Sequence, residues 1–232
     1  MLTLVLLPGM DGTGELFTPF ATALGQEFKL KIVGYPSTEA LGYAKLESIV
    51  HAALPHEGSF VILGESFSGP IAISLAAAAP TQLKGLVLCC TFVRNPRPAF
   101  TRLRSLIGLL SVKLVPAWLL NHLLLGKYST TVLRSALAQS MAQISSAALR
   151  ARLRAVLSVD VSVKLEKVKV PVLYLRASQD CIVPLAASEL ITKFCSHSKM
   201  IELETPHFLL QAAPLDAARV VSGFMREVEN SL

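Results

Sequence analysis

The sequence predicts an α/β protein: a mostly parallel six-stranded sheet, covered by helices on both faces and carrying one helical insertion. Three observations carry this prediction. Short apolar runs of β type recur along the chain, helical patterns separate most of them, and the alternation breaks once, between Arg94 and about Val163. Strands that are apolar throughout, rather than at every second residue, need cover on both sides, which is the pattern of a parallel sheet. With 232 residues, 52% of them apolar and 16% charged, the chain suits one domain with a large core.

Taken in order, the first strand is Thr3–Leu7. The first seven residues are apolar but lack a charged leader and a cleavage site, so they read as a strand and not a signal peptide. A helix over Leu16–Leu24, a strand over Lys29–Val33 and a helix over Leu41–Leu54 follow. Next comes Phe60–Leu63, an unbroken apolar run that passes through GESFSG into a helix over Pro70–Ala79, and then a strand over Gly85–Phe92. The broken stretch is rich in Leu, Ala, Ser and Arg, with Pro96, Pro98 and Pro116 as breakers, and reads as helices laid over one edge of the sheet. A strand at Val172–Leu175, a helix at Leu185–Phe194, a strand at Met200–Leu203 and a helix at Leu215–Glu229 complete the pattern. The chain thus divides into a core, residues 1–93 and 164–232, and a helical cap, residues 94–163.

Composition removes several function classes. Cys89, Cys90, Cys181 and Cys195 form no CxxC pair and have no spaced histidines, so zinc and disulfide frameworks give way to buried, reduced thiols. Residues 106–126 come nearest to a membrane span, but Lys113, Pro116, Asn121 and His122 interrupt them short of the ~18 apolar residues a span requires. Two short amphipathic helices broken at Pro116 fit better. Cytoplasm is the expected location, with peripheral contact to a membrane as the alternative.

Charge is segregated. From Ser66 to Val159 there is no Asp or Glu but there are eleven Lys or Arg, including Arg150, Arg152 and Arg154; the rest of the chain holds the other eleven and all sixteen acids. Such a cap either keeps a helical layer solvated or faces an anionic surface, an acyl carrier protein or coenzyme A. No aromatic platform interleaves these charges, which argues against nucleic acid.

The chemistry concentrates at strand ends, where open parallel sheets collect reactive groups. In GESFSG a tight strand–turn–helix lifts Ser66 clear of the backbone and demands small neighbours. Gly64 fills the position two before; Ser68, small but not glycine, fills the position two after. In RASQDCIVP, Asp180 lies in the loop after the fifth strand, and in ETPHFLLQAAP, His207 lies just after the sixth. A hydroxyl, an imidazole and a carboxylate at three strand ends on one edge suit nucleophilic acyl transfer. The competitors are weaker: Asp160 for the acid, and His51, His56, His122 and His197, which read as surface or capping residues. Glu65 reads as a structural hydrogen-bond former beneath the turn. The amide of Phe67 and that of Met10, in the loop LLPGMDGTGELF, are placed to stabilise an oxyanion. That loop has its glycines as G-x-x-G-x-G, and Gly34-Tyr35-Pro36 after the second strand offers no ribose-binding acid, so dinucleotide binding fails.

Together LPGMDGTG, GESFSG, D-x-x-V-P and PHF, over nearly the whole chain, resemble the α/β-hydrolase superfamily, in particular small esterase-like members with an LPG-x-DGTG loop. The order Ser66, Asp180, His207 is that of its triads. The resemblance implies a sheet lacking the family's first two strands, with the cap inserted after the family's sixth. It also implies a serine hydrolase acting on carboxylic esters with apolar acyl or alcohol groups, needing no cofactor and no metal. Here Ser66 is the nucleophile, His207 the base, Asp180 its orienting acid, and Met10 and Phe67 the oxyanion donors. Pro8-Gly9 stands where relatives often have His-Gly. Thioesterase action on a carrier, acyl transfer to a lipid alcohol, as in plastid proteins that esterify phytol, and a non-catalytic scaffold are the alternatives.

Overall fold

The computed structural model describes residues 1–101 and 115–231. Six parallel strands form one sheet: β1 (Thr3–Leu7), β2 (Lys29–Ile32), β3 (Phe60–Glu65), β4 (Leu83–Cys89), β5 (Val172–Ala177) and β6 (Ser198–Leu203), in the order β2-β1-β3-β4-β5-β6. Every pairing is parallel, and β1 and β3 align Leu7 with Gly64, so the loops after both strands leave from one rim. The central strands are apolar on both faces because both faces are covered. β3 is buried at each of its six positions, whereas the edge strands β2 and β6 have no fully buried position.

Helices fill the two layers. α1 (Thr18–Leu24) and the last helix, α10 (Pro214–Glu229), cover one face, where Phe17, Phe20, Val221, Phe224 and Met225 pack on Leu4, Leu6, Val61 and Leu63. On the other face α2 (Tyr43–Ala53), α3 (Gly69–Ala77), α7 (Ser162–Leu165) and α8 (Leu185–Phe194) pack on Val5, Ile62, Leu86 and Tyr174. α3 is apolar nearly all round because it lies under neighbours on several sides, including α2 and α7. The helix expected over Leu16–Leu24 is split: a 3₁₀ turn, Glu15–Phe17, precedes α1, whose Pro19 sits in its first turn.

Between β4 and β5 the described part of the insertion holds α4 (Ala117–Leu125), α5 (Thr131–Gln143) and α6 (Ser146–Ser158). Thr130 and Ser145 cap α5 and α6 with their hydroxyls. Arg94 and Asp160 close the base of the insertion with an isolated antiparallel bridge and a 2.9 Å ion pair. The expected helix before Pro116 and the cations Arg102, Arg104 and Lys113 lie outside the described residues. Among the described residues no helix is long and apolar enough to cross a membrane. A short α9 (Leu209–Ala212) precedes α10.

Two expectations are corrected. All four cysteines are free, but Cys181 is exposed in the loop after β5 and not buried. Arg152, read as a surface cation of the cap, is 1% exposed. It lies one helical turn beyond the buried Ala148 and Leu149, on the side of α6 that faces the sheet rim.

Candidate active site

Ser66 follows β3 directly and holds φ +48°, a left-handed conformation that non-glycine residues avoid. The surrounding sequence over-determines this strain. A Cβ on Gly64 would lie 2.8 Å from the Ala72 methyl and 2.9 Å from the Ser68 carbonyl oxygen, so only glycine lets α3 fold back against β3. The Ser66 carbonyl accepts from Thr91 Oγ1 at 2.5 Å, which ties the turn to the end of β4. Ser68, where glycine was the stricter expectation, is fully buried and donates its hydroxyl to the Pro8 carbonyl. Its proton being so engaged, the 2.5 Å contact to Tyr35 makes the tyrosine the donor. A serine in this position therefore laces the turn after β3 to the loop after β1.

The turn after β3 and the ends of β5 and β6 bring Ser66, Asp180 and His207 together. Ser66 Oγ lies 2.8 Å from His207 Nε2, and His207 Nδ1 lies 2.7 Å from Asp180 Oδ2. Asp180 and His207 have side chains only 4% exposed. The other carboxylate oxygen accepts from the amides of Ile182 and Val183 at 2.7 and 2.8 Å, an arrangement that fixes the acid in place. With Asp180 accepting at Nδ1, the imidazole carries its proton there and offers the Nε2 lone pair to the Ser66 hydroxyl. Asp160 is spent on Arg94 and Ser162 at the base of the cap.

Beside Ser66 is a cavity of about 120 Å³, lined among others by Met10, Glu65, His207, Leu16, Leu137 and Met141. Larger grooves, such as one of about 490 Å³ between α2 and α6, touch none of these three residues. Phe67 opens the first turn after Ser66; its ring stacks on Tyr43 at 4.8 Å, and Tyr43 donates to its carbonyl at 3.0 Å. Met10 lies in a turn closed by Gly12 N–H donating to the Gly9 carbonyl at 3.2 Å, a bond that leaves the Met10 amide outside it. Asp11 Oδ2 accepts from the Thr13 amide, the Thr13 hydroxyl and Ser140 of α5, at 3.0, 2.6 and 2.7 Å.

Glu65 forms part of the cavity wall, buried, and accepts from Gln211 Nε2 at 3.0 Å. Burial pushes its carboxyl up to about 7 from 4.5; the Asp11 charge adds to this, while Gln211, His207 and the Gly9 amide oppose it. The hydrogen bond expected beneath the elbow is thus present, and Glu65 is also a titrating group on the wall.

Fold and site geometry define an α/β-hydrolase: a parallel sheet with an elbow serine, a strand-end acid and a strand-end histidine on one rim. A model of the family described as serine aminopeptidase, S33, matches residues 44–205, and the chain belongs to that family of hydrolases. Among solved structures it is similar to a hydrolase from Pseudomonas aeruginosa PA01 (TM-score 0.83, 19% identity, 96% of this chain and 89% of that one). It is likewise similar to a thermophilic esterase from Thermogutta terrifontis (TM-score 0.83, 18% identity, 98% and 90%). A stretch of 106 residues, 43% of this chain, is 34% identical to phytyl ester synthase 1, chloroplastic, of Arabidopsis thaliana, and spans 14% of that protein's length.

Proposed function

We propose that the protein is a serine esterase that cleaves carboxylic esters bearing apolar acyl or alcohol groups, through an acyl-enzyme. The observation that carries this reading is the unbroken relay from Ser66 Oγ through His207 to Asp180, with links of 2.8 and 2.7 Å, at a mostly apolar cavity. His207 Nε2 takes the hydroxyl proton as Ser66 Oγ attacks the ester carbonyl. The new oxyanion is met by the amides of Met10 and Phe67. The imidazolium, balanced by Asp180, returns the proton to the leaving alcohol, and the acyl group stays on Ser66. Water, deprotonated by His207, then releases the acid.

One observation favours a second acceptor. The 106-residue match to phytyl ester synthase 1 supports transfer of the acyl group from Ser66 to a long-chain alcohol. A series of p-nitrophenyl esters from acetate to palmitate tests the first reading: turnover by wild type, lost in Ser66→Ala, is expected. No turnover of any member would overturn it. Product analysis with added phytol separates the two acceptors, since a transferase forms the phytyl ester in preference to the free acid.

A further inference from the structure

Arg152 is the largest side chain among the fully buried residues, and its hydrogen-bond partners are backbone oxygens. Nη1 donates to the carbonyls of Met10 and Asp11, both at 2.8 Å, and Nη2 donates to Pro36 at 2.9 Å. The guanidinium also lies over the Tyr35 ring, 5.6 Å from its centroid. Burying a cation is costly, and here three hydrogen bonds to backbone oxygens offset that cost. The planar fork of arginine reaches two adjacent carbonyls and a third across the loop; an ammonium lacks that shape.

We propose that Arg152 is a positioning residue for the reaction, a clamp from the cap that holds the loop after β1 so that the Met10 amide faces the oxyanion. This rests on the esterase reading above. Arg152 holds the Met10 carbonyl, in the peptide after Met10, while the Met10 N–H lies in the peptide before it; the Met10 side chain packs on the cluster of Ile144, Ala148 and Leu149. The next peptide is gripped at the Asp11 carbonyl, and its Gly12 N–H donates at 3.2 Å to the Gly9 carbonyl, which shares a peptide with the Met10 N–H; the Asp11 carboxylate accepts from Ser140. With carbonyls and side chains fixed from the cap side, the amide direction of Met10 is set by the docked position of α5 and α6. Gly12 makes room for the clamp: at φ +74°, its missing Cβ would overlap the guanidinium. Cap and oxyanion donor therefore move as one piece, and a cap that lifts takes the donor with it.

The test compares wild type, Arg152→Ala and Arg152→Lys by ester kinetics, by fluorophosphonate labelling of Ser66 and by thermal denaturation. A lost oxyanion donor costs about 10²–10³ in kcat; a misaimed one is expected to lower kcat about 10–100-fold in Arg152→Ala, with KM within about threefold. Added ethylguanidinium should restore at least about fivefold of the lost kcat, because it refills the vacated site, and Arg152→Lys should fall between. Should Arg152→Ala fail to fold, the kcat-to-KM split in Arg152→Lys decides. A folded variant with wild-type kcat, or one losing activity only through KM and unmoved by ethylguanidinium, would overturn the clamp. Wild type that neither turns over esters nor is labelled at Ser66 would instead overturn the esterase reading.

Discussion

Three side chains far apart in sequence meet at the end of β3, and each was readable from its place at a strand end. What the sequence did not display is the shell that aims them. Tyr35, Tyr43, Ser140 and Arg152 act through contacts 24 to 142 residues away in the chain. No local spacing encodes such docking. One signal was present for Arg152: residues two apart lie on opposite sides of a helix, so Arg150 and Arg154 share a side while Arg152 shares that of Ala148 and Leu149. Two predictions belong at this scale. Asp180→Asn leaves the histidine without its anionic partner and is expected to lower kcat by up to about 10⁴-fold with little change in KM, read from ester kinetics. Glu65, with a folded value raised to about 7 from 4.5, keeps its proton when the unfolded chain has lost it. The folded state is therefore penalised progressively as pH rises between those values, and fully above them. Glu65→Gln removes the penalty, so urea denaturation should show it gaining up to ~3 kcal/mol on wild type at pH 8 relative to pH 4. An equal difference at both pH values would mean Glu65 does not titrate there.

At the scale of elements, strand and helix positions were legible because period and length agree with type: β1 and α8 fall where the pattern put them. Ends were less legible. β4 stops at Cys89 rather than near Phe92 because Cys90 turns to φ +47°, freeing Thr91 to hold the elbow. The elbow itself is the packing of β3 on α3, and at Gly64 that packing leaves no room for a side chain. Gly64→Ala pushes a methyl against Ala72 and the Ser68 carbonyl, and overpacking of this kind costs about 1–3 kcal/mol. The expected result is a lower denaturation midpoint together with a loss of kcat; a variant of unchanged stability and rate would show that the elbow tolerates side chains.

For the molecule as a whole, the charge asymmetry looked like a docking face, and the structure redistributes much of it. Arg94 binds Asp160, Lys127 binds Glu204, Arg97 reaches the Cys181 and Ile182 carbonyls, and Arg152 is inside. Of the two acids, Asp160 comes from the base of the cap itself and Glu204 from the loop after β6. Arg154 stays exposed and Arg150 half-exposed on one side of α6, so an anion-facing role for the cap falls to these two among the described residues of that helix. Reversing both to Glu is expected to weaken sedimentation with phosphatidylglycerol vesicles at low salt at least about tenfold, since each surface cation near such a membrane is worth about 1 kcal/mol. Unchanged sedimentation would leave them as solvated charge.

The relay at Ser66 is most directly tested by trapping its covalent product. The protein is mixed with p-nitrophenyl butyrate, quenched in acid within the first turnover and digested, and the peptides are weighed by mass spectrometry. The account predicts one butyryl group, carried on Ser66 and missing from Ser66→Ala. Butyrate attached to another residue, or Ser66→Ala releasing nitrophenol as fast as wild type, would contradict it.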